Sequence, residues 1–381
     1  MINLNNFYKS KNIDLYINDV LKSGNISGDK KYTKLCSYYL KNKYNFNSIL
    51  TTSCTHALEL IALAINIKPG DEIICPSYTY VSTINSFVLR GAIPIFIDSL
   101  PNNPNIDHNK IEEKITEKTK CIIIVHYGGI SCNMNEIIKI KKKHKIFLIE
   151  DSAHSLGSTY NNIYLGSFGD FSTFSFHETK NLSCGEGGLL VVNNLEYIDK
   201  CIIIKNKGTN YHNFIEKKIN KYEWVDVGSS YSLSDINAAI LLSQLEDYDL
   251  ILDKRYKIWN AYYLTLLNYV DILNINIPSI DKNIKHNSHI FYIIFNNQSE
   301  FKQFYDHMKK NNINVSTHYI CLHKSHYYVS NYKKCILPNS EKIEKCLIRF
   351  PIYVNMTDSE LKYILDTIKV FINNKIIETK Y

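Results

Sequence analysis

The sequence predicts an α/β fold in two parts, a large domain on a mostly parallel sheet flanked by helices and a smaller α+β C-terminal domain. Three observations carry this. Short apolar segments recur at residues 73–74, 93–97, 121–125, 146–149, 171–176 and 189–192, with helix-length pieces between them. Parallel neighbours need such long crossovers, whereas antiparallel neighbours do not. The 381 residues are 45% hydrophobic, enough to bury one large core and a second smaller one. Finally, no internal repeat or low-complexity linker interrupts the pattern. The expected division falls near residue 248, giving domains 1–248 and 249–381.

Residues 48–51 read as a short strand, and Thr52-Ser-Cys-Thr-His-Ala57 opens an amphipathic helix through Leu58, Leu60, Ile61, Leu63, Ala64 and Ile65. The lysine run at 139–145 reads as the solvated end of a helix, complementing the negative end of its dipole, before a buried strand at 145–149. A helix begins near Ser234 and runs through Ile236, Ala239, Ile240, Leu242 and Leu245, and another covers about 252–267. In the C-terminal part, residues 289–295 are the strand candidate, followed by a helix through Phe301, Phe304, Tyr305 and Met308.

Three segments carry chemistry. In Ser175-Phe-His-Glu-Thr-Lys-Asn-Leu-Ser-Cys-Gly-Glu-Gly-Gly188, Lys180 follows a largely apolar stretch and precedes Gly185, Gly187 and Gly188, which let backbone pack closely around a bulky ligand. A lysine shielded there loses proton affinity and becomes a nucleophile for an aldehyde; a solvated surface charge is the plainer reading. Glu150-Asp151-Ser152-Ala153-His154-Ser155 sits at the carboxyl end of a strand, where open α/β sheets bind ligands. There Asp151 either holds the ring nitrogen of a pyridinium cofactor or caps a helix. The helix opened by Thr52 offers free N–H groups to a phosphate, with Ser53 and Thr55 adding hydroxyls, unless it is simply a capped helix.

Together, in this order, the segments resemble the sugar aminotransferases of the DegT/DnrJ/EryC1/StrS family, from Ser23-Gly-Asn-Ile-Ser-Gly28 to Arg349-Phe-Pro-Ile-Tyr353. The resemblance implies the fold type I architecture of pyridoxal 5'-phosphate (PLP) transferases, with a mostly parallel seven-stranded sheet. It implies that Lys180 joins the cofactor covalently, that Asp151 pairs with the pyridine nitrogen, and that Ser175 and the Cys54-Thr55 backbone hold the phosphate. Tyr80, in Pro76-Ser-Tyr-Thr-Tyr-Val-Ser-Thr83, matches the aromatic that stacks on the cofactor ring; plain core packing is its alternative. His154 stands where the family generally has glutamine beside the cofactor's phenolic oxygen, which leaves its charge near neutral pH open.

Within the family, Lys207-Gly-Thr-Asn210, residues 221–231 and Ser234-Asp235 look like the dTDP-4-amino-4,6-dideoxygalactose transaminases of bacterial surface-glycan synthesis. Most of the wider family has asparagine and arginine where this chain has Ser230 and Ser232. By the resemblance two subunits of a homodimer share their active sites, and Ser230 is a shorter clamp on the partner's cofactor phosphate. The implied substrates are L-glutamate and a nucleotide-linked keto sugar. Rivals are a sugar 3-aminotransferase, an enzyme for UDP- or GDP-linked sugars, and a PLP-bound regulatory module; a 3-dehydratase is disfavoured by Lys180.

Composition excludes other classes. The formal charge of +7 is modest and dispersed, with no basic stripe or zinc finger for nucleic acid. No apolar run suits a membrane span, and the amino terminus lacks a signal peptide, so a cytoplasmic protein is expected. Ten cysteines without a C-x-x-C pair read as free thiols, with Cys54 and Cys184 near the cofactor or, by default, packing residues. His318-Tyr-Ile-Cys-Leu-His323 fits no common zinc spacing, so no metal is expected. The family has a similar segment near the active-site mouth, and by that likeness His318 and His323 make substrate or structural contacts. Arginine is scarce, only Arg90, Arg255 and Arg349. Arg349 is a candidate for the donor carboxylate, or else forms a salt bridge at a surface or interface.

Overall fold

The computed structural model describes residues 1–380, with side chains through 378. Its main sheet has seven strands: β1 (Ser48–Thr51), β2 (Glu72–Pro76), β3 (Ile93–Ile97), β4 (Thr119–Val125), β5 (Phe147–Asp151), β6 (Phe171–Ser175) and β7 (Gly188–Val192). The spatial order is β1-β7-β6-β5-β4-β2-β3. Strand β7 runs antiparallel to both neighbours, and the other pairings are parallel. The expected strands are present with ends shifted by a residue or two. The one before Asp151 begins at Phe147 because Lys145 has φ +53 and ends the preceding helix in a left-handed turn.

That helix, Met134–His144, places Lys141, Lys142, Lys143 and His144 in its last turn, as the lysine run requires. The helix after β1, Cys54–Ala64, is capped by Ser53, whose Oγ accepts the His56 N–H at 3.1 Å. It buries Leu58, Leu60 and Ile61 against the sheet. The helix Asp235–Glu246 is capped by Ser234. Tyr248–Leu267 then starts immediately, four residues earlier than the apolar pattern suggested.

The C-terminal part contains a three-stranded antiparallel sheet of Ile275–Asn276, Tyr292–Phe295 and Leu347–Arg349. Helices Gln298–Lys310 and Asp358–Lys380 accompany it. Arg255 ties this region together. Its guanidinium, 3% exposed, donates to the carbonyls of Ser288, His289 and Ile352 at 3.3, 2.7 and 3.1 Å. Burial pulls its pKa down to about 9.

The amino-terminal strap crosses from this sheet toward the larger one. Ile2 N–H donates to Asn312 O at 2.9 Å, and Asn5 Nδ2 donates to Glu178 O at 2.9 Å. Buried Asp235 holds the helix Lys31–Tyr44 in place, accepting the N–H groups of Tyr32 and Thr33 and the Thr33 hydroxyl at 2.8–2.9 Å. Asp235→Ala leaves these buried donors unpaired, at a cost of about 1–3 kcal/mol for each unsatisfied group. Urea unfolding should show a lower midpoint with the slope unchanged.

Candidate active site

Every strand that feeds the site does so from one edge of the sheet. Asp151 ends β5 and Ser175 ends β6, while the turn after β2 carries Thr79 and Tyr80. Antiparallel β7 begins at this edge, so Gly188 lies beside both Thr51 and Ser175. A Cβ on Gly188 would lie 2.2 Å from the Ser53 carbonyl carbon and 2.4 Å from the Cys54 nitrogen. Glycine here admits the N-terminus of the Cys54–Ala64 helix, a closer purpose than the ligand packing expected of it.

These elements enclose a cavity of about 520 Å³. Of the residues singled out in the sequence, Ser53, Cys54, Thr55, Tyr80, Asp151, His154, Ser175, Lys180, His318 and Arg349 line it. Lys180 is held inside, and burial lowers its ammonium from the usual 10.5 to about 8; Cys54 and Asp151 push the other way. Among the described residues no carboxylate forms an ion pair with it. Asp151 is 5% exposed. Burial raises its carboxyl above the ordinary range, opposed by hydrogen bonds from the Thr83 hydroxyl at 2.7 Å and the Ala153 N–H at 3.1 Å. The Ala153 bond closes a turn, so Asp151 caps no helix.

The charge of His154 is decided by its surroundings. Burial, with Lys180 and Arg349 nearby, holds the imidazole well below its usual pKa, hence neutral. Gly128 N–H donates to Nδ1 at 3.3 Å, which assigns the proton to Nε2, 3.4 Å from the Tyr319 hydroxyl. Two further neutral imidazoles adjoin it. His289 Nδ1 lies 2.8 Å from Asn181 Oδ1, and His318 Nδ1 lies 2.7 Å from the Tyr127 hydroxyl. Burial lowers both of their pKa values. Among the described residues no cluster of histidine, cysteine and carboxylate groups suits a metal ion.

Arg349 forms no surface salt bridge. Its Nε is buried without a hydrogen-bond partner among the described residues, and the side chain faces the cavity. Tyr80 is 59% exposed, which excludes core packing; neighbouring Tyr78, 1% exposed, fills the core.

His323 and Cys184 do not line the cavity, and Ser230, expected at a partner's site, lies outside this subunit's own. His323 is 3% exposed and does not line the cavity; its Nδ1 meets Ser77 Oγ at 2.6 Å and its Nε2 faces Glu341 at 3.3 Å. Ser230 is exposed and outside this subunit's cavity, bridged through its backbone to Asn206. Cys184 is buried in the core, its Sγ 3.4 Å from Glu186 O, rather than on the cavity wall.

The residues present suit PLP. A buried, weakly basic amine and a buried carboxylate share one cavity, a helix N-terminus with its N–H groups lines the same wall, and a neutral donor stands between them. Sequence reasoning missed Thr79, Thr83, His289 and Tyr319, although both threonines lie in the segment quoted for Tyr80. Their roles depend on partners distant in the chain.

The lowered basicity has a measurable consequence. In protein freed of cofactor, the amine of Lys180 becomes nucleophilic as pH rises through about 8, instead of near 10.5. Labelling by trinitrobenzenesulfonate, mapped by peptide mass spectrometry, should show that midpoint for Lys180 and higher midpoints for exposed lysines.

Comparison with known proteins agrees with this geometry. The chain is 34% identical over 369 residues to the uncharacterized protein MJ1066 of Methanocaldococcus jannaschii, covering 93% of each. It is 31% identical over 362 residues to GDP-perosamine synthase of Escherichia coli O157:H7, covering 94% of this chain and 95% of that one. The putative sugar aminotransferase Spr1654 from Streptococcus pneumoniae, in its PMP form, superposes with a TM-score of 0.87 at 25% identity, covering 98% and 99% of the two chains. Its PLP form superposes with a TM-score of 0.86. Residues 8–369 match the family profile, and the chain belongs to the DegT/DnrJ/EryC1/StrS aminotransferase family.

Proposed function

We propose that this enzyme moves the amino group of L-glutamate to the 4-keto carbon of dTDP-4-keto-6-deoxy-D-glucose. The products are 2-oxoglutarate and dTDP-4-amino-4,6-dideoxy-D-galactose, a precursor for bacterial surface polysaccharide. The observation that carries the aminotransfer reading is the amine of Lys180, with its pKa lowered to about 8, in one cavity with buried Asp151. PLP, when bound, supplies an electron-withdrawing ring that stabilises negative charge developing at the donor's α-carbon.

The chain's own groups divide the remaining work. Lys180 holds the cofactor and then, as a free amine, takes the α-proton of the donor and returns it as a general acid. With PLP bound, Asp151 would accept the ring N–H, and His154, kept neutral through the physiological range, would donate from Nε2 to the phenolic oxygen. Ser175 and the N–H groups at Cys54 and Thr55 would hold the phosphate. Arg349, with its unpaired Nε, receives a carboxylate of glutamate. The exposed Ser230 reaches a partner subunit's phosphate in a homodimer, and the chain divides near residue 248 into the two domains.

The dTDP assignment rests on the likeness of residues 207–210 and 221–235 to that subgroup. A GDP-linked 4-keto sugar is the second reading, favoured by the 31% identity to GDP-perosamine synthase. Turnover measured across dTDP-, UDP- and GDP-linked 4-keto-6-deoxyhexoses, with NMR of the product for the aminated carbon, separates these readings. No amine transfer to any of them rejects the proposal.

Lys180→Ala should bind cofactor without the yellow colour of the wild type and show no turnover. Arg349→Met should raise KM for glutamate on the order of tenfold or more, the cost of a lost hydrogen bond to a charged group; KM for the keto sugar should change little. Mixing inactive Ser230→Trp and Lys180→Ala subunits should restore activity, because a heterodimer gathers both lesions in one site and leaves the other whole.

A further inference from the structure

Thr83 lies in the short helix Ser82–Val88 and is 1% exposed. A helical hydroxyl commonly turns back to the carbonyl four residues earlier, as Ser86 Oγ does to Ser82 O at 2.9 Å. Thr83 does not. Its Oγ1 reaches out of the helix to Asp151 Oδ2 at 2.7 Å, and its other neighbour is Thr79 Oγ1 at 2.9 Å. Thr79 is 2% exposed.

An ionised Asp151 sets the direction of this hydrogen-bond relay. A hydroxyl has one proton to give and an ionised carboxylate only accepts. Thr83 therefore donates to Asp151 and accepts from Thr79. With Asp151 ionised this order gives each of the two protons an acceptor, and the bond from Thr83 is then charge-assisted, about twice as strong as one to a neutral carboxyl. The other oxygen, Oδ1, accepts the Ala153 N–H at 3.1 Å and retains a lone pair.

We propose that Thr83, oriented by Thr79, is the positioning residue that keeps Asp151 ionised and fixes its orientation for the cofactor's ring nitrogen. The proposal rests on the reading of Asp151 as that nitrogen's partner. It gives the hydroxyl pair after β2 a part in the chemistry that neither residue performs by touching the substrate.

The test uses the full-length protein freed of cofactor, with pyridoxamine 5'-phosphate as probe, because it binds without condensing with Lys180. Equilibrium dialysis gives its affinity, and the near-ultraviolet absorbance of the bound probe reports protonation of the ring. Thr83→Val, nearly isosteric, should weaken binding about tenfold or more, the loss expected for a hydrogen bond to a charged group, and shift the bound spectrum toward the unprotonated ring. Thr83→Ser should restore both. Thr79→Val should move both readouts in the same direction by less.

In an Asp151→Asn background, Thr83→Val should cause no further loss, as a double-mutant cycle requires of coupled groups. Wild-type affinity and spectrum in both Thr83→Val and Thr79→Val overturn the proposal, as does Thr83→Ser binding as weakly as Thr83→Val. If Asp151→Asn itself binds the probe like wild type with an unchanged spectrum, the underlying reading of Asp151 fails instead.

Discussion

Desolvation of an amine and a carboxylate in one cavity is the constraint on which the site depends. Removing water disfavours the charged form of each, so the basicity of Lys180 falls and the acidity of Asp151 weakens. The two shifts serve different ends. A lysine that must be a nucleophile near neutral pH gains from its shift, whereas a carboxylate that must hold a positive ring does not. Only Asp151 is accordingly given hydrogen bonds that favour its charged form, from Thr83 and Ala153. The close approach at Gly188 belongs to the same arrangement, since it brings a helix N-terminus to the wall of that cavity without a side chain between.

Around this pair the protein excludes further titration. Burial keeps His154, His289 and His318 neutral, so these three imidazoles add no charge to the cavity wall at neutral pH. Two guanidiniums line the cavity. Arg255 is committed to backbone carbonyls, whereas Arg349 has a buried Nε without a partner among the described residues. A guanidinium left unpaired in this way is set to receive an anion.

The fold was legible because strand spacing is a local pattern. Ile93–Ile97 and the strand ending at Asp151 announce themselves by their apolar runs and by the polar residues that end them. Lys180, Asp151 and the helix after Ser53 were legible for the same reason, since each sits in a short segment with its own chemical context. The misplacements have a different origin. His323 sits in a loop whose neighbour His318 does face the cavity, but a one-turn 3₁₀ helix spans Leu322–Lys324, and His323 is buried against Ser77. Thr83 and Thr79 went unread in the segment around Tyr80, because the carboxylate that gives them meaning lies 68 positions from Thr83. Contacts across such separations leave no periodicity in a single sequence.

The bond between His323 and Ser77 gives the turn after β2 contacts in several directions. Within seven residues this turn also sends the Tyr78 hydroxyl to His318 O at 3.1 Å, Thr83 to Asp151, and Ser82 Oγ to receive the Thr55 hydroxyl at 2.8 Å. Residues 77–83 thus touch, at once, the C-terminal loop around His318, the buried acid Asp151 and the N-terminus of the helix Cys54–Ala64. A rigid lever of this kind cannot move at one contact without displacing the others. Any lineage that reshapes residues 318–323 would therefore have to do so without disturbing the Ser77 anchor, which makes this turn a brake on how far that loop can drift while the rest of the cavity is retained.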